Sequence, residues 1–121
     1  MKKFLVALLM MTCVCTATAQ NRSGFYELNP AQIVNIEDKS NSIVFNLEAG
    51  SGEDVFKLRG TAREAGRNVF EYRKVVRGKT ENYECRIRFT FSRGYLTIKE
   101  NEDCSYDRFP NVSLDGRYRR D

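Results

Sequence analysis

From Gly24 onward, apolar and polar residues alternate in short runs separated by turn-forming residues. Two-residue alternation puts successive side chains on opposite faces of a strand, so each run reads as a strand with one buried face. Ser42 to Gly50 groups Ile43, Phe45 and Leu47 against Asn46 and Glu48. Asp54 to Ala62 groups Phe56, Leu58, Gly60 and Ala62 against Lys57 and Arg59. Asn68 to Val76 groups Phe70, Tyr72 and Val76 against Glu71 and Arg73. The run Asn82 to Ser92 is the cleanest, with Tyr83, Cys85, Ile87, Phe89 and Phe91 opposed to Glu84, Arg86, Arg88 and Thr90. Tyr95 to Glu100 and Val112 to Arg119 follow, and Gly24 to Leu28 opens the series. Asn29-Pro30-Ala31-Gln32 permits either one helical turn, with Asn as cap and Pro in first position, or a strand over Gln32 to Glu37.

Turn chemistry falls between the runs, at Gly50-Ser51-Gly52, Ala65-Gly66-Arg67-Asn68, Arg77-Gly78-Lys79 and Arg93-Gly94. Seven or eight evenly spaced strands predict an all-β chain, an antiparallel meander curled into a small barrel, with a two-layer sandwich as the alternative. Gly60, inside a strand, suits the bend that barrels need at corners.

Register can be tested on Asn82 to Cys104. With Phe91 opposite Leu96, Phe89 faces Ile98 and Ile87 faces Glu100, so both apolar sets share one face; a shift of one residue would set Thr97 and Lys99 against Phe89 and Ile87. Cys104 then lies on the face of Cys85 but one diagonal step away, about 7–8 Å, beyond the usual disulfide Cα separation of about 4.4–6.8 Å. A Cys85–Cys104 bond therefore requires a bend at Asn101-Glu102-Asp103, which are poor strand formers.

The start of the chain changes how the cysteines and charges are read. Met1-Lys2-Lys3, the apolar run Phe4 to Met11 and Ala17-Thr18-Ala19 form a secretory signal peptide over 1–19, cleaved after Ala19. The apolar run is too short to stay in a membrane, so stable insertion after cleavage is not expected. One β domain, 20–121, remains, with 102 of the 121 residues. Losing Lys2 and Lys3 lowers the formal charge from +4 to +2, which gives no reason to expect a nucleic-acid partner. Cys13 and Cys15 leave with the leader and lack the small residue expected before a lipidated cysteine. Cys85 and Cys104 remain, and in an oxidising compartment a lone pair forms one structural disulfide.

The candidate chemistry is narrow. The chain contains no histidine, which removes Ser-His and Cys-His catalysis and the usual zinc sites. Carboxylate pairs could cleave a glycosidic bond, but Glu100, Glu102 and Asp103, like Glu37-Asp38 and Glu53-Asp54, sit at strand ends or turns and read as solvated loop acids. Asn101-Glu102-Asp103 lacks the glycine and spaced acids of a calcium loop. No enzyme, metal or cofactor is expected. Asn21-Arg22-Ser23 and Asn111-Val112-Ser113 fit the glycosylation pattern, but the leader looks bacterial, where that pattern usually has no meaning.

Two groupings point to binding. Lys57, Arg59, Arg73, Arg86 and Arg88, with Lys99, fall on outward positions of neighbouring strands, either as a docking face for an anionic partner or as an ordinary wet sheet face. Inward positions hold Phe45, Phe56, Phe70, Tyr72, Phe89 and Phe91, which either fill the core or line a cavity at a barrel mouth. Gly24-Phe25-Tyr26 and Gly116-Arg117-Tyr118-Arg119 resemble the ends of lipocalin-like barrels, although the aromatic is not Trp and the chain is shorter. That resemblance, and a similarity to small periplasmic barrels of Gram-negative bacteria, implies an aromatic of the first strand packed near a basic residue of the last. The expected function is a periplasmic or secreted, non-enzymatic binding protein for an apolar small ligand or a protein partner. The alternative is an inhibitor of a hydrolase such as lysozyme.

Overall fold

Eight strands form, β1 (Gly24–Asn29), β2 (Gln32–Asp38), β3 (Ser42–Ser51), β4 (Asp54–Gly66), β5 (Val69–Arg77), β6 (Asn82–Ser92), β7 (Tyr95–Glu100) and β8 (Gly116–Arg120), with a 3-10 helix at Glu102–Asp107 between the last two. Each strand pairs antiparallel with the next and β8 returns to β1, so the meander is a closed barrel and not a sandwich. This is a computed structural model, and it describes residues 21–51, 54–107 and 112–121. The expected signal peptide with its cleavage point, the tip of the Gly50–Gly52 turn, Glu53 and Asn111 lie outside the described residues.

The alternation seen in the sequence becomes the wall of the barrel. Val34 and Ile36, Ile43, Phe45 and Leu47, Ile87 and Phe89, and Leu96 and Ile98 are all buried on its inner face. Each such side chain contributes about 1.5–3 kcal/mol by leaving water. The β6–β7 register is the predicted one, with Phe91↔Leu96, Phe89↔Ile98 and Ile87↔Glu100. At the first hairpin the strand alternative holds: Asn29 Oδ1 accepts the Ala31 amide at 2.9 Å, an Asx turn that reverses the chain at once.

Two expected elements differ. The last strand begins at Gly116, not at Val112. Residues 112–115 are held by side chains instead of a ladder: Leu114 N–H donates to Glu100 Oε2 and Glu100 N–H to Asp115 Oδ1, both at 2.8 Å. Val112 and Leu114 still point into the core, so their apolar spacing mimics a strand. β4 also runs four residues past Ala62, to Gly66, and the turn tightens to Arg67 and Asn68, the latter in the left-handed region at φ 60°.

The bend required by the cysteines is present. The ladder stops at Glu100, and Asn101 ties down the exit, with its side chain accepting from Arg86 N–H (3.0 Å) and donating to the Glu84 carbonyl (2.8 Å). The 3-10 helix then brings Cys104 to Cys85 with a Cα separation of 4.4 Å, forming the disulfide.

The opposite end is plugged by Arg22. Its guanidinium bonds Asp38 (3.2 Å) and Asn68 (2.9 Å) and lies over the rings of Phe70 and Phe91, 5.2 and 6.0 Å from their centroids. Tyr26 is buried beside it and donates its hydroxyl to the Arg22 carbonyl at 2.8 Å. From the last strand Arg120 sits 5.9 Å from the Tyr26 ring centroid and donates to the carbonyls of Asn21 and Ser23.

Two measurements probe these ends. Replacing both cysteines, Cys85→Ser with Cys104→Ser, should cost about 3 kcal/mol in denaturant unfolding, the chain-entropy value for a loop of this length. Wild-type protein in reductant should match the double variant. Burial opposes ionisation of Asp38, but the amides of Ser40 and Arg22 and the Arg22 guanidinium outweigh it and hold the carboxyl below its usual range. A depressed folded-state pKa contributes stability above the unfolded value, about 3.9, that is lost as pH falls through the folded one. Asp38→Asn should therefore be less stable at neutral pH and should flatten the acid limb of the stability curve below about pH 4.

Candidate functional site

The barrel wall is not equally sealed all round. β4 pairs with β3 from Ser42↔Arg63 to Ser51↔Asp54, and β5 pairs with β6 from Val69↔Thr90 to Arg77↔Asn82. Between β4 and β5, however, the ladder contains only Arg63↔Glu71, Glu64↔Phe70 and Gly66↔Val69, with a bulge between Glu64 and Gly66. Beyond that fork no ladder pair joins Asp54 to Ala62 with Tyr72 to Arg77, and the two segments form the lips of a split in the hydrogen bonding.

Hydrogen-bond phase identifies the backbone groups left over. Glu64 N–H donates to the Asn41 carbonyl at 3.0 Å. By antiparallel alternation Ala62, Gly60, Leu58 and Phe56 then bond β3, so Val55, Lys57, Arg59 and Thr61 aim their N–H and C=O into the split. Phe91 N–H donates to the Asn68 carbonyl at 2.9 Å. By the same rule Phe70, Tyr72 and Lys74 bond β6, and Arg73, Val75 and Arg77 aim into the split from the other side.

Side chains at the split are half-way between core and surface. Phe56, Leu58 and Tyr72 are the partly buried hydrophobics packed against the core, and all three flank it. Val55 and Val75 project outward from its lips, 54% and 60% exposed. The Tyr72 ring crosses toward β4, meeting Phe45 edge-on at 5.2 Å between centroids. A Cβ on Gly60 would come within 2.7 Å of that ring, so glycine here makes room for Tyr72. At the fork a cleft of about 730 Å³ is lined by Thr61, Arg63, Glu64, Ala65, Glu71, Tyr72 and Arg73.

The structure separates the six inward aromatics into two groups. Phe45, Phe70 and Phe89 have no exposure and Phe91 is nearly as buried. Phe45 and Phe89 stack at 4.7 Å and Phe70 meets Phe91 at 5.8 Å, so these rings fill one another's space. Phe56 and Tyr72 border the split instead.

The five basic residues all lie on the outer face, but the split divides them. Lys57 and Arg59 stand on the β4 lip, with Lys57 near Glu48 at 3.7 Å. Arg73 stands on the other lip, directly opposite Arg86, and Arg88 lies opposite Glu71. Glu71 is the one acid that binds this group together, meeting Arg73 at 2.7 Å and Arg88 at 3.3 Å. The hydrogen bond from Arg73, against some desolvation and with help from Arg88, holds its carboxyl below the usual range. Arg59 and Arg77 make no ion pair among the described residues.

Three acids of these clusters are engaged locally. Glu100 caps the 112–115 segment, Glu37 meets Lys39 at 2.7 Å, and Asp38 holds Arg22. No group of three or more potential metal-ligating side chains converges among the described residues.

Comparison with known protein families, with curated proteins and with solved structures finds no match to this chain.

The split itself escapes the sequence reading, as do Val55, Val75 and Arg77. A signal for it exists in β5, where Lys74 takes an inward position and Val75 an outward one, reversing the pattern where the strand leaves β4. The Gly60 account is testable. Gly60→Ala should destabilise the barrel by about 1–3 kcal/mol through overpacking. In a Tyr72→Leu background most of that loss should disappear. An equal cost in both backgrounds would assign Gly60 to strand curvature alone.

Proposed function

We propose that this chain is an exported, non-enzymatic binding protein whose partner is a protein with an acidic surface, engaged at the β4–β5 split. The observation that carries this reading is the pair of lips bearing Lys57, Arg59, Arg73 and Arg77, where Glu71 is already held by its own arginines, Glu48 meets Lys57, and Arg59 and Arg77 make no ion pair among the described residues. Cations on both sides of a recess focus an attractive field for anionic groups. Export rests on the basic leader and its Ala-x-Ala end, and a disulfide suits an oxidising compartment. Absence of histidine and the local use of the carboxylates support a role without catalysis. An apolar ligand held deep in the barrel is less favoured, because Phe45, Phe70 and Phe89 already occupy that volume.

Polyglutamate serves as a probe of the surface, with alginate as an anionic polysaccharide control. Binding of polyglutamate should weaken steeply with salt. The double variant Lys57→Glu, Arg59→Glu should lose at least tenfold in affinity while melting as wild type does. Arg93→Glu, in the turn at the plugged end, should change affinity by less than twofold. Equal loss in Arg93→Glu, or preferred binding of alginate, would overturn the reading.

A further inference from the structure

The split offers more than positive charge, because its lips carry strand edges. Closing a barrel normally removes every edge, yet here Val55, Lys57, Arg59 and Thr61 on β4 and Arg73, Val75 and Arg77 on β5 present N–H and C=O groups with no ladder partner across the split. Such rows are templates for an added strand. Resting on the acidic-partner reading, we propose that the split binds an extended peptide segment by strand addition along β4, a segment alternating acidic and apolar residues.

The alternation follows from the two faces of the lip. An added strand takes the same pleat as its neighbour, so its residues point alternately outward and inward. Outward residues lie beside Lys57 and Arg59, with Arg73 and Arg77 across the split; acids there pair with Arg59 and Arg77, which make no ion pair among the described residues, and add to the field of Lys57 and Arg73, which already meet Glu48 and Glu71. Inward residues lie beside Phe56, Leu58 and Tyr72, whose partial burial sets them apart from the fully enclosed rings deeper in the barrel. Apolar side chains there complete the inner face that the unpaired strands leave unfinished. Cross-strand pairs of each kind contribute modestly, about 0.2–1 kcal/mol apiece, and main-chain hydrogen bonds supply the rest of the affinity.

Charge also selects the occupant. A second copy of this chain would bring one cationic lip against another, and like charges facing each other across strands are destabilising. An acidic strand instead meets Lys57 and Arg59 on one lip and Arg73 and Arg77 on the other, with the neutral Val55, Thr61 and Val75 between them.

The test uses the purified protein and three eight-residue probes. The first alternates glutamate and valine, the second has the same composition in two blocks, and the third is the alternating peptide N-methylated at every second amide. The alternating peptide should bind at least tenfold more tightly than the block peptide. N-methylation, which leaves charge and side chains in place but blocks the ladder, should cost at least a further tenfold. Hydrogen exchange at the amides of Val55, Lys57, Arg59 and Thr61 should slow at least tenfold on binding, with Leu96 and Tyr118 in the β7–β8 ladder unchanged as internal controls. Equal binding of all three probes overturns strand addition yet leaves the acidic-surface reading standing. Binding of none of them, together with no binding of polyglutamate, removes both. Protection of the same amides by self-association, without peptide, assigns the edge to a second copy and overturns the inference.

Discussion

The fold depends on how β4 and β5 stay together with only three residue pairs in register. A barrel is stable because every strand shares hydrogen bonds on both sides, and at this seam half of that arrangement is missing. Packing takes over: Tyr72 reaches from β5 across Gly60 to the Phe45 ring, which in turn rests on Phe89. Aromatic contact thus replaces a ladder where the pairing stops. The remaining seam, between β1 and β8, is shorter still in pairing, with Tyr26↔Arg120 and Glu27↔Arg119, and is reinforced by Arg120 bonding to main-chain carbonyls.

The two ends of the barrel are closed by different physics. At one end a cation enters an aromatic environment, because Arg22 finds a carboxylate, an amide and two ring faces that replace water at its terminal nitrogens, while its Nε is buried without a hydrogen-bond partner. At the other end a covalent bond fixes the 3-10 helix against β6, the strand that pairs with the β5 lip of the split. A staple placed near a weak seam limits how far local opening can spread.

Most of the barrel was legible because strand alternation is a local signal and each buried face is unambiguous. Register between β6 and β7 followed from matching Phe91 and Phe89 with Leu96 and Ile98, and the cysteine spacing forced a bend that Asn101 and the 3-10 helix supply. Where the reading failed, side chains had replaced the backbone ladder. Val112 and Leu114 are spaced like strand residues, but Glu100 and Asp115 hold that segment. The split was invisible for a related reason: alternation reports which face is buried, not whether a neighbour is hydrogen-bonded. Lys74 and Val75, with polarity reversed, were the trace it left. The basic residues are exposed, as outward positions in the alternation are, while their division between two lips depends on the long-range pairing of β4.

Both described chain ends meet at the plugged end. Arg120 reaches Asn21, and the Asp121 amide donates to the Phe25 carbonyl at 3.0 Å. The split runs from its fork near Gly66 toward the opposite pole. A molecule anchored by either terminus, to a surface or to a fusion partner, therefore points the far end of the split away from the attachment and toward free solution. Polarity of this kind suits display: the tether and the recognition edge never compete for the same space.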